Sequence, residues 1–339
     1  MAMYGGIDLH SNNLVLVLVD GDGQQVRVRK LATELSVVLE ELRPFGEAIQ
    51  GLAVESTYNW YWLVDGLQDA GYWVALANTR AIQQYDGLKF TDDRHDARWL
   101  AELLRLGILP EGYICPREER AVRDLLRHRM RLVQERAGHI LSIQNLVTRN
   151  TGKRLSGNRI KTLTEDDVEA LLPEGNRALP VQTNLALMRS LDQQIATIEA
   201  SIRRQVQPRP EYKLLQSVAG VGEVLGQTIL LETGAIDRFP GPGQYASYCR
   251  CVRSERQSNG KKKGTNNRKN GNRYLAWAFT EAAGFAIRYN TAVKRYYQRK
   301  QAKRCQPVAF KAVAHKLARA TYHVLRTGEP FETERAFGS

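Results

Sequence analysis

Four carboxylates are the residues of this 339-residue chain whose types and spacing suit metal-assisted chemistry on phosphodiesters. Two of the acids sit in the stretch TDDRHDARWLAELLR, residues 91–105. Thr91 is a suitable helix cap, and good helix formers follow without Pro or Gly until Gly107. On a helix, Asp93, Asp96, Leu100 and Leu103 are spaced i, i+3, i+7 and i+10 and share one face. The leucines make that face the buried one. Two carboxylates then point toward the protein body, where a lone anion is costly. A bound cation makes that placement favourable; the competing reading is that acids in a first turn complement the helix dipole.

The elements that must position these acids are legible in the front of the chain. Residues 3–9 and 14–19 read as strands separated by the turn-forming His10-Ser11-Asn12-Asn13. Asp20-Gly21-Asp22-Gly23 reads as a hairpin turn into a third strand near residues 25–31. Residues 33–45 carry apolar side chains at helical spacing, 51–54 form a short strand ending on Glu55, 60–70 a helix and 72–76 a strand. Three strands in meander, then helix, strand, helix, strand, is the ribonuclease-H-like order. The first and fourth strands of such a sheet are neighbours, so Asp8 and Glu55 fall near its centre, and Asp93 and Asp96 arrive on the helix that follows. Singly, Asp8 is compatible with a surface strand end and Glu55 with a loop cap. Together, four carboxylates from three elements raise one another's pKa or recruit a metal. Oxygen ligands suit Mg2+ or Mn2+, and two such ions about 3.5–4 Å apart are usual for phosphodiester chemistry.

Further along, residues 118–150 read as one long helix with Leu126, Met130, Val133, Ala137, Ile140 and Val147 near heptad spacing. Residues 182–205 read as another, with Met188, Leu191, Ile195, Ile198 and Ile202 on one stripe; residues 152–180 between them read as loop or broken helix. The pair suggests an antiparallel hairpin whose apolar stripe serves internal packing or dimerisation. Arg127, Arg129, Arg131 and Arg136 on the first helix are candidates for phosphate contact or for solvation. Past Pro208 and Pro210, residues 214–231 form two apolar pieces about Gly220-Val221-Gly222, either a phosphate-binding helix-hairpin-helix turn or tight helix packing.

Charge separates the two ends of the chain. The net charge is +13, yet residues 250–326 hold 20 Lys/Arg against two acids, Glu255 and Glu281, so that region carries +18 and the remainder −5. A strongly basic back half implies nucleic acid as partner. A membrane is disfavoured, because the longest aliphatic run, residues 14–19, is far too short to span one and the basic region lacks an amphipathic helix rich in exposed apolars. The N-terminus has no signal-peptide pattern and four cysteines fit a reducing compartment, which together point to the cytoplasm. Cys249 and Cys251 form a lone C-x-C, which reads as packing thiols rather than a zinc site.

Within the basic half, residues 248–274, YCRCVRSERQSNGKKKGTNNRKNGNRY, read as a Gly-, Asn- and Lys-rich loop able to lie along a phosphate backbone. Ser258 lies inside it, either an ordinary loop serine or one beside which Arg256, Lys261 and Lys262 could hold a phosphate. Lys263, Arg268, Lys269 and Arg273 extend the same basic set. Residues 275–326 read as helical, with Tyr289, Tyr296, Tyr297 and Tyr322 among the cations, where stacking on bases competes with core packing.

These residues carry a family resemblance. Gly6-Ile7-Asp8, Val54-Glu55-Ser56 and the D-x-x-D-A-x-x-L-A-E pattern from Asp93 to Glu102 resemble the DEDD-type transposases of insertion-sequence family 110. Tyr248-Cys-Arg-Cys-Val through Ser258-Asn-Gly-Lys, then Lys269-Asn-Gly-Asn-Arg-Tyr-Leu, resembles the subgroup typified by insertion sequence 1111. The motifs are specific jointly, and Asp92, directly before Asp93, departs from the pattern; only Asp93 gives the D-x-x-D-A spacing. The resemblance implies an α/β plus α architecture: an RNase H-like, RuvC-like domain over residues 1–117, a coiled-coil helical hairpin over 118–207 and a basic, mostly helical transposase domain over 208–339. It implies a metal-binding tetrad of Asp8, Glu55, Asp93 and Asp96 with Mg2+, or Mn2+, and Ser258 as nucleophile. It further implies a recombinase guided by a structured noncoding RNA, acting on donor and target double-stranded DNA as a tetramer, a dimer of dimers, through a covalent phosphoserine. No His lies beside Ser258 in sequence, so activation of its hydroxyl by the metal site, across domains or subunits, is expected. A structure-selective RuvC-like nuclease using water is the alternative, and a nucleic-acid scaffold with a decayed site is disfavoured by the four intact acids.

Overall fold

The computed structural model describes residues 1–82, 92–265 and 269–338. Thr91 and Arg268 therefore lie outside the described residues. The chain forms two compact units, Met1–Ile114 and Cys115–Ser339.

The first unit is a five-stranded sheet with helices on both faces. Strands β1 (Met3–Leu9), β2 (Asn13–Asp20) and β3 (Gln25–Ala32) form an antiparallel meander. The first turn closes with a bond from the His10 amide to the Asn13 carbonyl; in the second, Asp20 accepts from the amides of Asp22 and Gln24. Helix α1 (Leu35–Leu42) and a 3-10 turn over Arg43–Ala48 lead to β4 (Ile49–Glu55), which lies parallel to β1; helix α2 (Tyr61–Asp69) leads to β5 (Val74–Ala77), parallel to β4. The sheet order is β3-β2-β1-β4-β5. Each of these elements matches its sequence reading to within a few residues.

Both faces of this sheet are covered, which explains the continuous aliphatic run of β2. Ile7, Leu9, Leu14, Leu16, Leu18, Leu52 and Val54 point to one side and pack with α1 and α2. The alternate set, Val15, Val17, Val19, Ala53 and Ala75, packs against helix α3 (Asp93–Arg105). The residues opposing α3 are small for a reason. A Cβ added at Gly6 would overlap the Ala97 carbonyl and come within 2.6 Å of the Ala101 nitrogen, so the helix backbone lies directly on β1.

The second unit is helical. Helix α4 (Arg117–Thr151) and helix α7 (Gly175–Val206) run antiparallel, as the pairs Arg129–Glu199, Arg136–Asp192 and His139–Asn184 require. The chain between them is not simply loop: α5 (Gly157–Lys161) and α6 (Glu165–Leu171) pack a small core with the far end of the pair, from Ile143 and Val147 to Val181, Leu185 and Met188. Helix α7 also begins earlier than its expected start, taking in Gly175, Asn176 and Pro180. Of the six apolar positions expected to line the α4 stripe, Leu126 and Val147 are buried and Ala137 is exposed. Leu132, one position before Val133, is buried instead at the middle of α4. On α7, Met188, Ile195 and Ile202 are buried at seven-residue spacing.

The base of this arm joins the main core with α8 (Pro210–Leu215), α9 (Glu223–Thr233), α10 (Pro242–Tyr248), α11 (Arg273–Tyr289), α12 (Thr291–Gln301), α13 (Gln306–Thr327) and α14 (Thr333–Phe337). Gly220 lies against the Ala282 carbonyl and 2.7 Å (for an added Cβ) from the Ala286 nitrogen, so close helix packing accounts for it without a phosphate turn. Cys249 and Cys251 are buried packing thiols, and burial pushes the Cys251 thiol up to about 12. Of the four tyrosines, Tyr322 is core, Tyr296 and Tyr297 are half-buried and Tyr289 is exposed. No helix among the described residues is long and apolar enough to cross a membrane.

Candidate active site

Two-residue alternation decides where the acids go. Asp8 follows Ile7 on β1 and Glu55 follows Val54 on β4, and Ile7 and Val54 are partners in the parallel ladder. Ile7 and Val54 face α1 and α2, so Asp8 and Glu55 face the side that α3 covers. Asp8 is 4% exposed and Glu55 is half-buried. Helix α3 starts at this same edge, bringing Asp96, half-buried, and Asp93, exposed, alongside. The cap of α3 is Asp92, whose carboxylate accepts from the His95 amide at 2.9 Å, rather than Thr91 as expected. That role accounts for the extra acid before Asp93.

The charges in this centre are strained. Burial, then a hydrogen bond with Asp8 and the charges of Asp8 and Asp96, pushes the Glu55 carboxyl up to about 8. Burial and the Asp8 charge push Asp96 the same way. A carboxyl that keeps its proton at neutral pH for want of positive charge is one that a cation would ionise.

His10 is the residue that sequence reading missed. Its Nε2 lies 3.2 Å from an Asp8 oxygen and 3.4 Å from an Asp93 oxygen, and among the described residues that buried nitrogen makes no hydrogen bond. Asp8, His10 and Asp93 present ligand atoms that all lie within 4.8 Å of one another. Asp8 and His10 are two positions apart where the strand ends, which is the same-face spacing and the signal that could have found it. The backbone at His10 is anchored, since Asn59 donates to the His10 carbonyl at 3.0 Å. An orphaned imidazole nitrogen between two carboxylates, beside a proton-holding third, fits a divalent cation.

The serine segment corrects the sequence reading. Where a loop was expected, Arg256–Ser258 (β6) and Lys261–Gly264 (β7) form an antiparallel hairpin with Ser258 opposite Lys261. Asn259 and Gly260 both have positive φ, 51° and 68°, the backbone of a two-residue turn whose twist matches paired strands. Ser258, Arg256, Lys261, Lys262 and Lys263 are all exposed, and among the described residues the Ser258 hydroxyl has no hydrogen bond. Glu255 does not neutralise the tip: it is engaged by Arg253 at 3.0 Å and Gln257 at 2.8 Å.

The neck of this segment is clamped. The Asn272 amide donates to the Tyr248 carbonyl at 2.7 Å, and the Arg250 guanidinium donates to the carbonyls of Lys269 and Gly271. Asn272 caps α11 and donates to Glu232, whose fully buried carboxylate also accepts two bonds from Arg127 at 2.6 and 2.8 Å. Lys269 thus contributes backbone to the neck, and Arg273 lies on the Tyr274 ring.

The α4 arginines proposed for phosphate contact are otherwise occupied. Arg127 pairs with Glu232, Arg129 with Glu199, Arg131 with Glu135 and Arg136 with Asp192. Three of the four partners lie on other helices, 56 to 105 residues away.

A DEDD-type model of IS110 elements, described as Transposase, matches residues 5–151. A second, described as Transposase IS116/IS110/IS902 family, matches residues 212–298. No curated protein matches the chain.

Proposed function

Since the two matches together span more than half of the chain, which therefore belongs to the IS110 family of transposases and is a DNA transposase/recombinase, we propose that it joins DNA through a phosphoserine at Ser258, assisted by divalent metal in an RNase H-like acidic centre. The observation that carries the serine assignment is its exposed hydroxyl, without a hydrogen bond among the described residues and directly across a basic hairpin from Lys261. In the proposed step the Ser258 Oγ–P bond forms as the P–O bond to the departing sugar breaks. The hydroxyl loses its proton, and the sugar oxygen gains one.

Asp8, Glu55, Asp93, Asp96 and His10 would hold the metal. A divalent cation held there would supply positive charge to offset the negative charge that develops on the phosphate. Arg256, Lys261, Lys262 and Lys263 would grip the scissile phosphate and its neighbours, with Arg268, Lys269 and Arg273 extending that contact. The remaining parts of the reading rest on the family: guidance by a structured noncoding RNA, assembly as a dimer of dimers through the helical arm, Mg2+ as the usual ion, and action in the cytoplasm at the nucleoid. The division into a RuvC-like domain over 1–117, an arm over 118–207 and a transposase domain over 208–339 belongs to the same reading.

Trapping tests it. The protein is incubated with its element's noncoding RNA, end-labelled donor and target duplexes and Mg2+, then denatured and resolved on a gel. A protein–DNA adduct that disappears in Ser258→Ala and in Asp8→Ala is expected. Metal-dependent cleavage without an adduct would identify a water-using nuclease and return Ser258 to an ordinary turn serine.

A further inference from the structure

Residues 282–328 contain no Asp or Glu, and they fold into the C-terminal part of α11 and all of α12 and α13. Among the described residues, Arg299, Lys300, Lys316 and Arg319 have no carboxylate within ion-pair distance. The contrast with α4, where four arginines each find an acid, is plain. Two of these cations share one ring: the Lys316 ammonium lies 4.7 Å from the Tyr296 centroid and the Lys300 ammonium 5.4 Å from it. Lys316 also lies 5.2 Å from the Phe337 ring, which meets Tyr296 edge-on.

The ring face attracts each ammonium but carries no charge to cancel it, while the two ammoniums repel one another. The shared ring therefore gathers positive charge without neutralising it. Burial pushes the Lys316 ammonium below the ordinary lysine range, and the charges of Lys300, Arg299 and Arg319 push it the same way. Arg299 and Lys300 end α12, where cations complement the helix dipole, but Lys316 sits in the middle of α13 and has no such role.

We propose that α12 and α13 form a grip for a nucleic-acid phosphodiester backbone, centred on Lys300 and Lys316 over Tyr296 with Arg299 and Arg319 at its edges. It adds to the Ser258 hairpin a second contact. It rests on the family reading only in taking a nucleic acid as partner, and all four cations lie beyond the last residue of the C-terminal family match. Ammonium groups meet phosphate as point charges, so the grip holds any sequence alike.

The test measures binding of the full chain to labelled duplex DNA and to labelled structured RNA across a salt series, by fluorescence anisotropy. In Lys300→Ala/Lys316→Ala the dependence of log affinity on log salt should be shallower by about 2 for duplex, with affinity near physiological salt down about tenfold or more. Lys300→Arg/Lys316→Arg should match the parent, as should Arg131→Ala, whose charge is already paired. A loss on DNA alone, or on RNA alone, identifies which backbone occupies the grip. Unchanged slope and affinity on both would overturn it and leave the lysines as covers for an aromatic ring. Should the alanine pair fail to fold, the exposed pair Arg299→Gln/Arg319→Gln gives the same readout. Adduct formation at Ser258 is scored separately, so failure of the grip and failure of the phosphoserine reading are distinguishable.

Discussion

Among single residues, His10 changes what the acidic centre prefers. Carboxylates alone favour hard ions, whereas an imidazole in the set tilts it toward the softer Mn2+. His10→Ala should lower Mn2+ affinity by at least about tenfold, the least that loss of even an outer-shell partner costs, and Mg2+ affinity much less, as titration calorimetry would record. Equal losses for both ions would make His10 a support for Asp8 rather than a ligand. Glu55 gives a pH signature in chelator. Its folded pKa of about 8 lies above the ordinary 4.5, so between those values the folded state holds a proton that the unfolded state has lost. Stability of the metal-free protein should therefore fall as pH rises through that window, and Glu55→Gln should remove that part of the slope in thermal unfolding. The acids themselves were legible because each occupies a nameable place on an element. His10 was not, because its strand end read as turn.

At the scale of elements, α3 owes its place to the space at Gly6. Gly6→Ala should cost about 1–3 kcal/mol and also weaken metal binding, since a displaced α3 carries Asp93 and Asp96 with it. Loss of stability with full metal affinity would show that the helix tolerates the shift. The Arg127–Glu232 pair predicts an asymmetry in urea denaturation. Arg127→Ala strands a carboxylate that is 0% exposed and should cost about 3–5 kcal/mol. Glu232→Gln leaves a guanidinium that is 31% exposed and should cost less. Sheet order was readable from turns and alternation. The β6–β7 hairpin was hidden by having no apolar residues to alternate, and Asn259-Gly260 was its one local sign. The arginine pairings could not be read at all, because their partners come from distant parts of the chain.

For the whole molecule, the division at residue 114 has a direct test. The first unit contains its own two-faced core and every residue of the acidic centre. Expressed as residues 1–114 it should fold and bind Mn2+ with the affinity of the full chain; an unfolded fragment would show that the sheet needs the helical unit. The basic composition was legible from sequence, but which cations stay unneutralised was not, since pairing on α4 and its absence, among the described residues, at Arg299, Lys300, Lys316 and Arg319 depend on what the fold sets beside each helix.

The clamp at Tyr248, Arg250 and Asn272 has a consequence for how such a protein can change over generations. A segment whose two ends are already tied together can lengthen or be exchanged while its neighbours keep their places, because closing a loop twice as long costs only about 0.6 kcal/mol more. The helices around it allow no such latitude, with Gly220 pressed on α11 and Asn272 fixed to Glu232. Lengthening of the segment should therefore be tolerated wherever it leaves Ser258 and the cations of its hairpin in place.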